Sequence, residues 1–246
     1  MNIALLGATR GIGRALARLA AARGDRLVLL GRDRGTLERS AADLAARTGR
    51  PEPPVVECDL DRPEDFGAAV DAAFDALGGR IDAFVVTAAR FATQEALEDD
   101  LEETAVLLRV DFTHTIVLCE HVRRRFEAQG GGTIAVFSSV AGDAPRKPVA
   151  IYGAAKAGLS HYVLSMDLRH RDRGIRYVCI KPGFVRTQMT AGLPEPPFAA
   201  DPDVVAARAL RAIDKAAPEA YVPAIWRLVM LVIRHLPRAV MRRVGF

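Results

Sequence analysis

The sequence predicts an α/β protein with one doubly wound parallel sheet of about seven strands and helices on both faces. Apolar, β-branched runs alternate with helical patterns along the 246 residues, which is typical of right-handed βαβ units. Some runs, such as residues 83–86, are apolar at every position, as expected for strands covered on both faces. A glycine-rich turn at residues 6–13 joins the first apolar run to the first helical pattern.

We predict seven strands, six helices and one long loop before residue 223. The strands lie near residues 2–7, 26–31, 54–58, 82–88, 132–138, 175–180 and 220–223. The helices lie near residues 11–24, 34–48, 63–78, 98–128, 151–173 and 202–216. Asp61 and Asp201 precede prolines and are predicted to cap the helices that follow them. Residues 188–200 hold three prolines and are predicted to form an irregular loop, either a functional lid or a disordered segment.

Composition and charge narrow the classes of partner. The formal charge of +4 is modest, and basic residues are not interleaved with aromatic ones before the C-terminus, so we expect no nucleic-acid partner. Three cysteines in apolar runs, without metal-ligand spacing, indicate reduced thiols, a cytoplasmic location and no metal. The chain starts directly with a strand and has no run of 18 uncharged apolar residues, so we expect neither a signal peptide nor a membrane span.

The first turn has the context of a dinucleotide-binding site. It reads Leu6-Gly7-Ala8-Thr9-Arg10-Gly11-Ile12-Gly13 and lies between a strand and an amphipathic helix. Glycines let the backbone approach a pyrophosphate, and the helix start offers free N–H groups and a positive dipole end. The predicted cofactor contacts are Gly7, Thr9, Arg10, Gly11, Ile12 and Gly13. The alternative is a turn that only tightens a strand–helix connection.

The end of the second predicted strand favours NADP(H) over NAD(H). Sites for NAD place an acid there, about 20 residues past the glycines, to hold the ribose hydroxyls. This chain has Gly31-Arg32, and Arg32 can make a bidentate contact to a 2′-phosphate. Arg10 can approach the same phosphate. The alternative is that both arginines are solvated surface residues.

Three side chains in the middle of the chain predict redox chemistry. Tyr152 and Lys156 are four residues apart, so one helix face presents both. A tyrosine with a pKa of about 10 is a poor acid–base catalyst near neutral pH, and a neighbouring ammonium lowers that pKa. Ser139 follows a predicted strand at the edge where open α/β sheets bind ligands, and its hydroxyl can bond a substrate oxygen.

With these motifs the chain resembles the short-chain dehydrogenase/reductases over essentially its full length, which implies a Rossmann-like fold. The resemblance is carried by the glycine turn and by Cys58-Asp59-Leu60, Ser138-Ser139-Val140-Ala141-Gly142, Tyr152-Gly153-Ala154-Ala155-Lys156 and Lys181-Pro182-Gly183-Phe184-Val185-Arg186-Thr187. It implies catalytic roles for Ser139, Tyr152 and Lys156, and Ser139 rather than Ser138 matches because it stands thirteen residues before Tyr152. It also implies an adenine contact at Asp59 and further cofactor contacts at Leu60, Ala88, Tyr152, Lys156, Pro182, Gly183, Val185 and Thr187.

Two departures from the family pattern affect the predicted site. Asp111 stands where the family's fourth catalytic residue is usually an asparagine that helps hold a water behind the lysine. An aspartate can accept from that water or pair with Lys156 through it, and alternatively it is a buried polar residue that only holds its helix in place. The stretch Thr87-Ala88-Ala89-Arg90 replaces the usual asparagine-rich one, which brings Arg90 near the expected nicotinamide ribose.

Residues 224–246 form a basic, apolar tail after a catalytic domain of residues 1–223. Arg227, Arg234, Arg238 and Arg242 recur at helical spacing, and Trp226, Val229, Met230, Ile233 and Val240 surround the other side. Pro237 should kink the helix. Such a helix either lies on a membrane surface at the inner face or packs over the substrate pocket or a subunit interface.

Two functions remain open from the sequence. The first is an NADPH-dependent carbonyl reductase, or alcohol dehydrogenase in reverse, with Tyr152 as the acid–base and a bulky apolar or lipid-like ketone as substrate. The second is a non-catalytic NADP(H)-binding regulatory protein, which only the departures at Asp111 and Arg90 support. The resemblance also implies a homodimer or homotetramer that pairs the helices near 98–128 and 151–173. Residues 140–148, Phe91, Phe184 and the 188–200 loop are expected to line the pocket.

Overall fold

The computed structural model describes residues 1–243, which contain one seven-stranded, all-parallel sheet. The strands are β1 (Asn2–Leu6), β2 (Arg26–Gly31), β3 (Val55–Glu57), β4 (Ala83–Val86), β5 (Gly132–Phe137), β6 (Ile175–Pro182) and β7 (Glu219–Val222). Their order is β3-β2-β1-β4-β5-β6-β7, and it reverses between β1 and β4, the switch point where open α/β sheets bind ligands. The predicted doubly wound parallel sheet is confirmed.

Helices cover both faces of the sheet. They are α1 (Gly11–Arg23), α2 (Arg34–Thr48), α3 (Phe66–Ala76), α4 (Gln94–Asp99), α5 (Leu101–Leu108), α6 (Thr115–Gln129), α7 (Ala150–His170), α8 (Pro202–Asp214), α9 (Ile225–Arg234) and α10 (Arg238–Arg243). Alternate residues of β1 enter opposite cores, since Leu5 packs with α1, α2 and α8 while Leu6 packs with α3, α6 and α7. Burial on both faces explains why the central strands read as unbroken apolar runs.

The prediction of one helix over residues 98–128 is wrong. A separate helix, α4, ends just before Asp100. The Asp100 carboxylate accepts hydrogen bonds from the N–H groups of Glu102 and Glu103 at 3.0 and 2.9 Å and so starts α5. A wide π-helical turn, Arg109–His114, then separates α5 from α6. Such turns are frequent at functional sites, and this one carries the fully buried Asp111.

Of the two predicted acidic helix starts, the one at Asp61 is wrong, and the one at Asp201 is confirmed in position but not in its side-chain bond. Asp61 does not cap α3, which is preceded by a 3₁₀ turn at Pro63–Asp65, and its carboxylate binds Arg90 at 3.1 Å. Asp201 occupies the cap position of α8 but its side chain makes no cap bond, because it pairs with Arg186 at 3.1 Å. Hydrogen bonds between two charged groups are stronger than those to a neutral backbone N–H, so both carboxylates are drawn to arginines.

The last two predicted segments are described in part. Residues 188–200 hold one 3₁₀ turn, Gln188–Thr190, and otherwise lack regular structure, as expected. The tail forms α9 and α10 on either side of Pro237, while its residues 244–246 lie outside the described residues. Within residues 1–243, none of the helices combines the length and apolar character needed to cross a membrane.

Candidate active site

Two glycines of the turn after β1 are packed too closely to carry a side chain. A Cβ atom on Gly13 would overlap the carbonyl oxygen of Gly7. A Cβ on Gly7, whose φ is +93°, would lie 2.7 Å from the backbone nitrogen of Ala88 at the end of β4. Thr87 fastens the turn from that side, since its hydroxyl donates to the Leu6 carbonyl at 2.9 Å. The turn therefore brings α1, β1 and the predicted contact Ala88 together at the switch point.

The start of α1 is open to a ligand. Arg10 stands at the cap position, and its side chain makes no cap bond to the N–H groups of the first turn, which contains Gly11, Ile12 and Gly13. By contrast, Asp33 caps α2 by accepting from the Thr36 N–H at 2.6 Å. Uncapped N–H groups at the end of a 13-residue helix suit an anion. Together with the closely packed glycines of the turn, these N–H groups fit a dinucleotide pyrophosphate.

A large cleft lies beside this turn. Its volume is about 1070 Å³, and it runs along α1 and α2 rather than toward Tyr152. Its lining residues include Thr9, Arg10, Gly11, Arg14, Arg39, Phe184 and Thr187. Phe184 was expected in the substrate pocket but lines this cleft instead. A Cβ on Gly11 would lie 3.2 Å from Thr187 Cγ2, so the segment after Gly183 closes over the glycine turn as the motifs predict.

The two arginines predicted to bind the 2′-phosphate are accessible to a ligand. Arg10 and Arg32 are both exposed, and neither makes an ion pair within residues 1–243. Asp33 is the carboxylate next to Arg32, and it is used as the cap of α2. On the far side of β2, Asp59 follows β3 and accepts from the Asp61 N–H at 3.1 Å, with Leu60 buried beside it. These positions place Arg32 and Asp59 at the same end of neighbouring strands.

The three predicted catalytic side chains meet between β5 and α7. Lys156 Nζ lies 5.5 Å from the centroid of the Tyr152 ring, one helical turn away on α7. Ser139 ends β5 and starts a 3₁₀ turn, Val140–Gly142, that presses on α7. A Cβ on Gly142 would lie 2.6 Å from Ala157 N, and one on Gly153 would lie 2.8 Å from Ala141 O. These two glycines, to which the motifs assigned no role, let the serine turn reach the tyrosine.

The two neighbouring serines have different roles. Ser138 is buried, and its hydroxyl donates to the Lys156 carbonyl oxygen at 2.9 Å and contacts Ser160 Oγ at 2.7 Å. Ser139 is less buried, and its oxygen accepts from the Ala141 N–H at 3.1 Å, which leaves its own proton to donate. The structure therefore places Ser139, and not Ser138, where its hydroxyl can serve a ligand.

Asp111 contacts Lys156 directly rather than through a water. Its Oδ2 lies 3.1 Å from Lys156 Nζ, and its Oδ1 accepts from the Arg90 N–H at 2.6 Å. Oδ1 accepts a hydrogen bond and Oδ2 faces the ammonium, an arrangement that favours the carboxylate form of Asp111. Burial raises the pKa of Asp111 and by itself would lower that of Lys156, but the Asp111 carboxylate and the Tyr152 phenol together outweigh burial and raise the pKa of Lys156. The lysine is thereby held as an ammonium.

Charges around Tyr152 act in opposite directions. Burial raises the pKa of the phenol, the Lys156 ammonium lowers it, the Asp111 carboxylate raises it, and Ser139 and Arg146 lower it; the net direction is upward. Phe91 packs edge-on against the ring, with centroids 5.1 Å apart, as expected for a pocket residue. A tyrosine with a raised pKa keeps its proton near neutral pH and can donate it.

Arg90, whose role the sequence left open, is held away from the reacting groups. Its guanidinium binds Glu103 at 3.2 Å and Asp61 at 3.1 Å. Its backbone N–H donates to Asp111, as described above. The Arg90 guanidinium is therefore engaged by two carboxylates rather than by Tyr152 or Lys156.

The tail covers the other side of the site. A Cβ on Gly183 would overlap Trp226 Nε1, so α9 lies directly on the predicted Pro182-Gly183 contact. Trp226, Met230 and Ile233 are buried and pack with Val140 and Ala144 of the segment after Ser139. One side of the tail is therefore buried against the protein, beside the segment that follows Ser139. The helix has apolar residues on both sides, however, because Ile225, Leu228, Leu231 and Val232 are exposed.

Comparisons with known proteins agree with this geometry. The short chain dehydrogenase family model matches residues 1–197. An uncharacterized oxidoreductase of Mycobacterium tuberculosis is 32% identical over 98% of this chain and 96% of its own. Carbonyl reductase family member 4 of Xenopus tropicalis is 30% identical over 78% of each chain.

The fold is also found among solved structures. A single-site variant of actinorhodin polyketide ketoreductase, determined with NADPH, superposes with a TM-score of 0.79 at 22% identity, covering 89% of this chain and 94% of that one. At this identity the likeness concerns the fold alone. The family match and the full-length relative go further, and they establish that this chain belongs to the short-chain dehydrogenase/reductase family of oxidoreductases, which act on alcohol and carbonyl groups.

Proposed function

We propose that this protein is an NADPH-dependent carbonyl reductase, or an alcohol dehydrogenase in reverse, in which Tyr152 is the general acid–base. The observation that carries the proposal is the placement of Lys156 Nζ 5.5 Å from the Tyr152 ring, with Ser139 at the end of the neighbouring strand. When bound, the nicotinamide cofactor supplies the hydride. Gly7, Gly11, Gly13 and Thr187 would hold it at the turn, and Pro182 and Gly183 near the reacting end.

The chain's own residues move the proton. Ser139 donates a hydrogen bond to the carbonyl oxygen and fixes its direction toward Tyr152. Tyr152 gives its proton to that oxygen as negative charge develops there. Lys156, held as an ammonium by Asp111, stabilises the phenolate that results. The regulatory-protein hypothesis depended on Asp111 and Arg90, and the contacts of both leave these three groups in place, so we favour the enzyme.

Cofactor preference is proposed from charge. Arg10 and Arg32 are exposed and unpaired within residues 1–243, and Arg14 and Arg39 line the adjacent cleft. A charged bidentate contact to the 2′-phosphate contributes about 1.5–3 kcal/mol, or about ten- to a hundredfold in affinity. Titration of wild type and Arg32→Ala with NADPH and NADH should show that loss for NADPH alone. Equal affinities in the wild type would contradict the preference.

Turnover is tested by following NADPH oxidation across a panel of carbonyl compounds that includes bulky apolar and lipid-like ketones. We expect activity in the wild type and its loss in Ser139→Ala. Ser165→Ala is the matched control, because Ser165 is exposed on α7 and belongs to none of the predicted contacts, so this variant should keep the wild-type rate. An absence of oxidation across the panel, with NADPH bound, would favour the regulatory protein.

A membrane contact is proposed for the outer face of α9. Leu228, Leu231 and Val232 are 61%, 55% and 62% exposed, and Arg227 and Arg238 are exposed near them. This combination suits an anionic membrane surface at the inner, cytoplasmic side, where each arginine contributes about 1 kcal/mol. Sedimentation with anionic and neutral vesicles should show salt-sensitive binding to the anionic ones, lost in the double variant Leu228→Asp/Leu231→Asp. If the wild type ignores anionic vesicles at low salt, the contact is excluded.

A homodimer or homotetramer is proposed through α6 and α7. Leu168 on α7 is 86% exposed and Val117 on α6 is 37% exposed, so both present apolar surface to a second copy. Sedimentation equilibrium should give a dimer or tetramer for the wild type and smaller species for Leu168→Glu. A monomeric wild type would contradict the proposal.

A further inference from the structure

One arginine near Tyr152 lacks the partner that buried charges have elsewhere in this protein. Arg146 lies between the 3₁₀ turns Val140–Gly142 and Lys147–Val149. Its side chain is partly exposed, its Nε is buried without a hydrogen-bond acceptor, and its guanidinium makes no ion pair within residues 1–243. A charge that is partly removed from water without a partner is costly, so such groups are found where a ligand supplies the missing charge.

The nearby carboxylates are already engaged. Asp143, three residues before Arg146, binds Lys181 at 2.7 Å and Arg234 at 2.9 Å. Asp111 binds Lys156 at 3.1 Å. Neither makes an ion pair with Arg146. Burial lowers the pKa of Arg146, whereas the charges of Asp143 and Tyr152 raise it, and Arg146 in turn lowers the pKa of Tyr152.

Apolar side chains lie in the same wall. Trp226 packs with Val140 and Ala144, and Ala144 is only two residues before Arg146. The Trp226 Nε1 is buried against Gly183 and is closed to a ligand. The apolar neighbours would contact the rest of a ligand whose charge binds Arg146.

The cofactor's phosphates do not account for Arg146. The glycine turn that fits the pyrophosphate follows β1, and Arg146 lies in the segment after β5, which is two strands away in the sheet. Arg146 therefore belongs to the substrate side of the site.

We propose that the carbonyl substrate carries an anionic group, a carboxylate or a phosphate, which binds Arg146. This inference rests on the proposed function, because it assigns the substrate class of the same site. A charge-assisted contact of this kind corresponds to about ten- to a hundredfold in binding. The same anionic chemistry can belong to a small soluble keto acid or to a lipid-like one.

The test compares substrates that differ in charge. A short 4-oxo acid and a long-chain oxo fatty acid are each compared with their methyl esters, and a small keto phosphate with its parent hydroxyketone. In the wild type we expect kcat/KM to be at least tenfold higher for at least one anionic compound than for its neutral counterpart. Whether the preferred acid is the short or the long one then identifies the substrate as small and soluble or as lipid-like. Arg146→Met should abolish that preference, Arg146→Lys should keep part of it, and the exposed Arg208→Met should leave it unchanged.

A binding measurement separates this inference from the proposed function. Calorimetry with the saturated carboxylates, which cannot react, needs no turnover, and quenching of Trp226 gives a second readout because it is the single tryptophan of the chain. We expect binding that weakens with salt and falls at least tenfold in Arg146→Met. Equal binding of acids and esters, no effect of Arg146→Met in a folded variant, or no binding to the wild type would each overturn the inference, whether or not NADPH is oxidised.

Discussion

Two lysines are deeply buried in this protein, and their surroundings differ in a way that separates chemistry from support. Lys156 meets one carboxylate, Asp111, and otherwise faces the Tyr152 ring. Lys181 meets two carboxylates, Asp143 at 2.7 Å and Glu219 at 2.6 Å. Each ammonium also faces a tyrosine ring, since Lys181 Nζ lies 5.4 Å from the centroid of the Tyr221 ring, but only Lys156 meets a single carboxylate.

The number of carboxylates around each ammonium determines what each lysine can do. Lys156 can stabilise a charge that forms on Tyr152, because its own field is only partly cancelled. Lys181 is enclosed, and through Asp143 it is linked to Arg234 of α9. It therefore fastens the tail to β6, β7 and the segment after Ser139. The comparison predicts that substitutions at the Lys156 site reduce activity and that substitution of Lys181 reduces stability.

The largest expected effect is on turnover at the Lys156 site. Tyr152→Phe removes the proton donor and keeps the ring that packs on Phe91. The rate of NADPH-dependent reduction should fall about a hundredfold or more, the scale of a lost general acid, while NADPH affinity stays within about twofold. Tyr162→Phe on the same helix loses only a bond to Glu120 and is the control. Retained turnover in Tyr152→Phe would remove Tyr152 from the mechanism.

The next effect is on stability at the Lys181 site. Lys181→Met leaves Asp143 and Glu219 without their shared ammonium. Breaking a buried pair costs about 3–5 kcal/mol, and because Arg234 remains on Asp143 we expect about 2 kcal/mol in the free energy of unfolding. Urea denaturation measures it, with the exposed Lys215→Met as control, expected within about 0.5 kcal/mol of wild type. A variant as stable as wild type would show that Lys181 does not fasten the tail.

Most of the sheet and the local motifs were predictable because their causes lie close together in sequence. Continuous apolar strands, the glycine turn and the four-residue spacing of Tyr152 and Lys156 each express a local rule. Ser139 was distinguished from Ser138 by spacing, and in the structure the Ser138 hydroxyl is bonded to the Lys156 carbonyl oxygen.

Contacts that join distant segments were not predictable. The apolar pattern of residues 98–128 is nearly continuous, so it hid both the cap at Asp100 and the π-helical turn that carries Asp111. The arginine spacing of the tail separated the buried Trp226, Met230 and Ile233 from the exposed arginines, but it did not identify the segment after Ser139 that buries them. Asp61 and Asp201 were assigned to caps because their arginine partners lie 29 and 15 residues away.

The smallest effect is a change in pH dependence at the Lys156 site. Reduction needs the protonated phenol, so its rate should be constant at low pH and fall as pH rises through the pKa of Tyr152. The Asp111 carboxylate raises that pKa, so Asp111→Asn should lower it and shift the fall to lower pH. Oxidation, which needs the phenolate, should then begin at lower pH. The profile of kcat/KM at saturating cofactor measures the shift, with the exposed Asp172→Asn as control. A purely structural Asp111 would lower the rate at every pH and leave the profile in place, and that result would end its assignment as the residue that keeps Tyr152 protonated.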